Sequence, residues 1–171
     1  MPTGLLTAML RGAAAGAVGT LAMDLLWYSR HRREGGDDGF IEWEFSTGTT
    51  DWDEAGVPAK LGKRAADALL AIELPDSAAG LTNDVVHWST GAQWGALYGL
   101  AVRSSSRVNP LSGALLGIVA CSASYVVLPL AKLYKPIWEY DTKSLAKDYS
   151  AHQVFGVVTG TAFGLFGRRE H

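Results

Sequence analysis

Three stretches of this chain carry no Asp, Glu, Lys or Arg over lengths that suit a lipid bilayer. They lie between Asp84 and Arg103, between Arg107 and Lys132, and between Asp148 and Arg168, and they enclose 18, 24 and 19 residues. A hydrocarbon core about 30 Å thick takes roughly 20 residues of helix to cross. A fourth stretch, 5–27, is rich in Ala and Gly but holds Arg11 and Asp24. The competing architecture is a soluble bundle with helices buried all round. A chain of 171 residues leaves little sequence to cover four such helices. The expected fold is therefore an all-α integral membrane protein with four transmembrane helices. Arg11 follows the first apolar residues instead of preceding them, so the opening segment reads as a retained first helix and not as a secretory signal.

The second of these spans reads HWSTGAQWGALYGLAVR from His87, with Gly91, Gly95 and Gly99 at steps of four. The last reads HQVFGVVTGTAFGLFGR from His152, with Gly156, Gly160 and Gly164 in the same register. Both are His-xxx-Gly-xxx-Gly-xxx-Gly-Leu-xx-Arg. Flanking matches extend the likeness: LTND at 81–84 with LAKD at 145–148, and WEFST at 43–47 with WEYDT at 138–142. The first and third spans each carry a GxxxG, at Gly12 and Gly16 and at Gly113 and Gly117. The chain thus reads as one membrane domain, 1–171, of two tandem helix hairpins. Repeat 1 runs over 5–103 with an inserted loop at 29–84, and repeat 2 over 107–169. Two hairpins entering the membrane in the same direction are expected to be related by a pseudo-twofold along its normal, with the His-Gly helices packed near the axis.

Glycine costs about 1 kcal/mol against alanine in a soluble helix. In lipid, where apolar side chains gain nothing by leaving their surroundings, glycines four apart let two backbones approach and pack. The ten glycines of these motifs are accordingly expected to face neighbouring helices. Because four residues turn a helix only about 40° beyond a full revolution, His87 and His152 begin the same faces.

The loop between the first two spans opens with the basic cluster RHRR at 30–33 and continues through the acidic EGGDDGF. From Pro58 to Leu74 it is expected to form an amphipathic helix. Leu61, Ala65, Ala68, Leu69 and Ile72 share one face, opposite Lys60, Lys63, Arg64 and Asp67. Such a helix suits the membrane surface or packs on its own protein. Trp27, Trp43, Trp52, Trp88 and Trp138 gather on this side as an interfacial belt, with only Trp94 elsewhere. Arg11, Arg103, Arg107, Arg168 and Arg169 mark the opposite side. Counting Lys and Arg near the span ends places the large loops in the cytoplasm and both termini outside, while the short, nearly all-arginine segments opposite argue for the reverse, so the orientation stays open. The formal net charge of −2 carries no nucleic-acid signature. The single cysteine, Cys121, excludes an intramolecular disulfide framework.

On the tryptophan-rich side the repeat pairs polar groups: Asp84 with His87, Asp148 with His152, and Glu44 with Glu139. Imidazoles and carboxylates so spaced hold a transition metal or relay protons, and two opposed histidines also suit haem. The plainer reading makes Asp84 and Asp148 helix N-caps, with each histidine bonded to a carbonyl or carboxylate. Asp24 either sits inside the membrane, where an acid is costly and functional, or lies at the interface beside Trp27. The metal and cofactor therefore stay open, and nothing resembles a nucleophile–base pair or a phosphate loop.

The opening helix RGAAAGAVGTLAMD and the span HWSTGAQWG resemble the small bacterial inner-membrane proteins of unknown function of the YagU-like type. The resemblance implies a multi-span fold in the inner membrane and assigns no chemistry to any residue. The leading functional expectation is permeation or transport of an ion or small solute through a pseudo-symmetric, glycine-packed bundle, with no enzymatic activity. The alternatives are a non-catalytic scaffold or partner subunit, and a metal- or haem-binding redox protein using His87 and His152. The expected partners are the lipid bilayer and a second copy or another membrane protein.

Overall fold

The computed structural model describes residues 4–45, 48–104 and 110–167. Ser46 and Thr47 of the WEFST match, Arg107 at the start of the second repeat, and Arg168, Arg169 and Glu170 lie outside them. All described secondary structure is helical. The helices are α1 (Leu5–Arg33), α2 (Phe40–Glu44), α3 (Val57–Ala65), α4 (Ala79–Val102), α5 (Pro110–Leu130) and α6 (Thr142–Gly167).

Two helices, α1 and α5, are long and apolar enough to cross a membrane, and only 33 % of each apolar window is buried inside the protein. Leu6, Leu10 and Leu25 of α1 and Leu111, Leu115, Val126 and Leu130 of α5 point outward. The 21 residues of α5 span about 31 Å. The histidine-bearing helices α4 and α6 carry Gly, Thr, Ser, Gln and Tyr among their aliphatic residues and fall short of that mark.

The glycines bring backbones together in two helix pairs. In the α1–α4 pair, a Cβ at Gly12 would overlap the carbonyl oxygen of Gly95, and one at Gly16 that of Gly91. In the α5–α6 pair, Gly113 meets Gly156 in the same way and Gly117 meets the carbonyl of His152. Gly99 abuts Ala8 and Gly160 abuts Gly113, while Gly164 is half-buried.

The pairs join through α1 and α6. Gly19 lies against Phe155 and Thr159, Arg11 stacks on the ring of Phe163 at 3.8 Å, and Arg30 donates to the Lys147 carbonyl at 3.0 Å. A twofold would give α4 and α5 an equivalent contact. These two instead meet sparsely, with a hydrogen bond at 2.7 Å between the hydroxyls of Tyr98 and Ser112. The His-Gly helices α4 and α6 also meet only sparsely, chiefly where the Tyr98 and Phe163 rings cross edge to face at 5.7 Å. The contacts therefore depart from the expected symmetry, and the helices run α4–α1–α6–α5 with one side open. The core between them is formed by Ala15, Tyr98, Leu116, Ala120, Phe155, Ala162 and Phe163.

The inserted loop departs from its expected pattern. α3 packs on α4 through Ala59, buried with Ala55 and Ala79, and through Gly62, where a Cβ would meet Thr82 and Val86. The helix loosens into a π-turn at Ala66–Leu70 and ends at Ala71 in the left-handed region, φ 52°. Of the anticipated apolar face only Leu61 turns inward. Ala65 and Ala68 are exposed, as are Leu69 and Ile72. Small residues decide this, because Ala59 and Gly62 permit a closer approach to α4 than the leucines do.

Candidate binding cavity

A cavity of about 590 Å³ lies between the two helix pairs where α4 and α5 diverge. α1 contributes Thr20, Met23 and Trp27, and α3 closes one end with Val57, Pro58 and Leu61. His87, Thr90 and Trp94 of α4 face Ser124, Tyr125 and Leu128 of α5, and α6 supplies Asp148, His152 and Phe155. Both histidines of the duplicated motif thus line one chamber. Its size falls in the range of small-molecule sites, and its wall is mostly apolar with a few placed polar groups, as such sites are.

The two histidines are held differently. The His87 Nε2 lies 3.0 Å from each carboxylate oxygen of Asp24, which reaches it from α1. Asp24 is only 4 % exposed, so it is buried within the protein. Glu44, at the end of α2, is also buried and accepts from the Trp88 indole at 3.1 Å. Burial, followed by the Asp24 carboxylate, pushes the Glu44 carboxyl up to about 7. The partner of His87 is therefore a residue of the first helix, where the sequence suggested Asp84.

His152 Nδ1 donates to the Asp148 carbonyl one turn back, at 2.9 Å. A carbonyl only accepts, so this bond fixes the tautomer and turns the Nε2 lone pair outward when the ring is neutral. The Asp148 carboxylate accepts the Tyr125 hydroxyl. Tyr125 lies among Tyr134, Tyr140 and Tyr149, with ring centroids 5.3–6.4 Å apart, and Tyr149 is held at 3.0 Å by Ser122.

Neither Asp84 nor Asp148 is an N-cap. α4 begins at Ala79 after a 3₁₀ turn, so Asp84 lies a full turn inside it. α6 is capped by Asp141, whose carboxylate accepts from the Ser144 amide at 3.0 Å and hydroxyl at 2.7 Å. These bonds hold the Asp141 carboxyl below its ordinary range. Glu139 is exposed on the turn before α6 and does not line the chamber, so the anticipated pairing with Glu44 does not form there. Among the described residues no three of His, Cys, Asp and Glu gather to hold a metal ion. Cys121 is fully buried.

Tyr125, Tyr134, Met23 and Phe155 were not legible as site residues. The available signal was Tyr125 itself, a hydroxyl within an apolar run that requires a partner when buried. Trp94, the one tryptophan away from the interfacial belt, gave a similar hint.

No protein-family profile, no curated protein and no solved structure matches this chain.

Proposed function

We propose that the chain is a four-span membrane protein, built from a duplicated hairpin, that binds a small solute in this chamber and passes it across the bilayer. The observation that carries the reading is the single cavity into which both motif histidines turn, wide where α4 and α5 part and bridged by Tyr98 and Ser112. Clustered polar groups at the open end of a bundle built from repeats are the arrangement of repeat-built transporters. The glycine contacts support the duplication. In each pair a first-helix glycine meets the carbonyl of the glycine four residues after the motif histidine, Gly16 with Gly91 and Gly113 with Gly156, one turn off the register that matching Gly12 and Gly16 with Gly113 and Gly117 would set.

In this reading α4 and α6 complete the bundle as the second and fourth spans, and the outward faces of α1 and α5 are covered by lipid. A second copy or another membrane protein can share those faces. The tryptophan-bearing loops lie in the cytoplasm and the protein resides in the inner membrane. The exposed Leu69, Leu70 and Ile72 beyond α3 then rest in the headgroup region.

The test is flux in proteoliposomes containing the purified protein, with potassium, chloride, glycerol and methylated amines as solutes. At least one should move faster than in protein-free vesicles, and Ala123→Trp, which fills the chamber, should slow it. No flux for any of these, in either orientation, would overturn the reading. It would leave the scaffold reading, which the glycine-packed pairs favour independently.

A further inference from the structure

The chamber wall mixes apolar side chains with a few polar groups. Several have already given their hydrogen to the protein. Thr20 donates to the Gly16 carbonyl at 3.0 Å, Ser124 to that of Ala120 at 3.1 Å, and Tyr125 to the Asp148 carboxylate. His152 spends its Nδ1 hydrogen on the Asp148 carbonyl. What these groups present to the chamber is lone pairs. The Asp148 carboxylate adds a formal negative charge, and no Lys or Arg side chain lines the cavity among the described residues.

The basic side chain at the mouth is already engaged. Arg30 lies over the Trp27 ring at 4.8 Å and bonds the Lys147 carbonyl and the Ser150 hydroxyl, at 3.0 and 2.8 Å. On the far wall, any positive charge on His87 is matched by Asp24, both of whose oxygens lie 3.0 Å away, with Glu44 beside them. The remaining surface is aromatic, with Trp94, Tyr134 and Phe155 on three different segments. Aromatic faces attract cations through their quadrupole, most strongly where water is excluded. An anion would meet a carboxylate and unshared lone pairs, and a plain apolar solute would leave them unpaired.

We propose that the chamber takes a hydrophobic organic cation, a quaternary or protonated amine or a phosphonium carrying apolar groups. Its charge is held by the Asp148 carboxylate and its apolar groups by Trp94, Tyr134 and Phe155. The proposal rests on the chamber being the solute site and names the class of that solute. The Tyr125 hydroxyl is a positioning group, holding the carboxylate against the wall from α5. The α4–α5 gap is the way in, since these are the two helices that meet sparsely.

The experiment uses three probes of similar shape and different charge: tetraphenylphosphonium, triphenylphosphine oxide and tetraphenylborate. Each is equilibrated with the purified full chain in neutral detergent, and binding is read above the empty-micelle background. Tetraphenylphosphonium should bind at least about tenfold more tightly than the neutral oxide, as a desolvated cation–π and carboxylate contact implies. Tetraphenylborate should not bind. Asp148→Asn should remove most of the preference and Asp148→Glu should retain part of it. The wild-type comparison among probes stands even where a variant fails to fold. Equal or tighter binding of the oxide or the borate overturns the cation class while keeping the chamber as a solute site. Phosphonium binding that survives Ala123→Trp places the cation elsewhere and overturns the proposal. Binding of no probe overturns this proposal, while the chamber as a solute site then stands or falls on the flux measurement and its slowing by Ala123→Trp.

Discussion

The two sides of the bundle on which the helix pairs meet are built from comparable sequence and behave oppositely. α1 and α6 are in contact along their lengths, from Arg11 on Phe163 through Gly19 on Phe155 to Arg30 on Lys147. α4 and α5, which a twofold would make equivalent, touch through Tyr98 and Ser112 and then part around the chamber. The difference follows from residues outside the matched motifs. Gly19 lets α1 settle on the Phe155 backbone, and Arg30 reaches two acceptors on α6. On the open side, His87, Thr90 and Trp94 of α4 face Tyr125 and Leu128 of α5, side chains too large or too polar for close backbone contact. Symmetric motifs can thus give an asymmetric bundle, and the asymmetry makes the cavity.

The largest expected effect separates the two sides directly. Gly19→Leu places a side chain where the Phe155 backbone and Thr159 already lie, and it should destabilise by about 3 kcal/mol or prevent folding, since overpacking against backbone has no rotamer to relax into. Ala123→Leu adds the same kind of bulk beside the chamber and should cost less than about 1 kcal/mol. Thermal unfolding in detergent, followed by tryptophan fluorescence, compares them. Equal losses would mean that the α4–α5 side is as tightly closed as α1–α6.

A second contrast lies between the histidines. Asp24→Ala leaves His87 facing a buried gap and should cost about 3 kcal/mol, the usual penalty for removing one member of a buried pair. His152→Ala removes a single bond to a carbonyl of its own helix and should cost about 1 kcal/mol. Similar losses in the same unfolding assay would show that the two sites are equivalent after all.

The last contrast is read as a slope with pH and concerns Glu44. Its carboxyl keeps a proton to about pH 7 in the folded protein and to about 4.5 when unfolded. Between those values the folded state binds more protons, so stability falls as pH rises from about 4.5 to 7 and is level beyond both ends. Glu44→Gln keeps an acceptor for Trp88 and should flatten that slope. A pH profile of the midpoint that is identical in the variant would detach Glu44 from it.

Much of this was legible in the chain. The charge-free lengths pointed to apolar helices, and the structure shows all-helical packing with two helices able to cross a membrane. The glycine spacing pointed to faces on which backbones meet, because a side chain missing every fourth residue has a direct geometric consequence. Asp24 stood out because an acid within an apolar run needs a partner. Its partner was not legible, since Asp24 and His87 are 63 positions apart and nothing local links them. Asp84 and Asp148 were misplaced as caps because helix starts depend on where the preceding turn ends, and here 3₁₀ turns and Asp141 begin the helices earlier. The packed face of α3 differed from the expected one for a related reason: hydrophobic periodicity ranks residues by size and apolarity, whereas contact with α4 selected Ala59 and Gly62.

The sequence by itself determined that apolar helices form and which of their faces can come close, because both follow from side chains at fixed helical spacing. Only the tertiary structure decided which helices become neighbours and where they part. Those outcomes depend on pairs such as Gly19 with Phe155, or Tyr98 with Ser112, whose members are distant in the chain and whose steric fit has no local signature. The chamber is what remains between helices that could not all close at once, and no single segment encodes it.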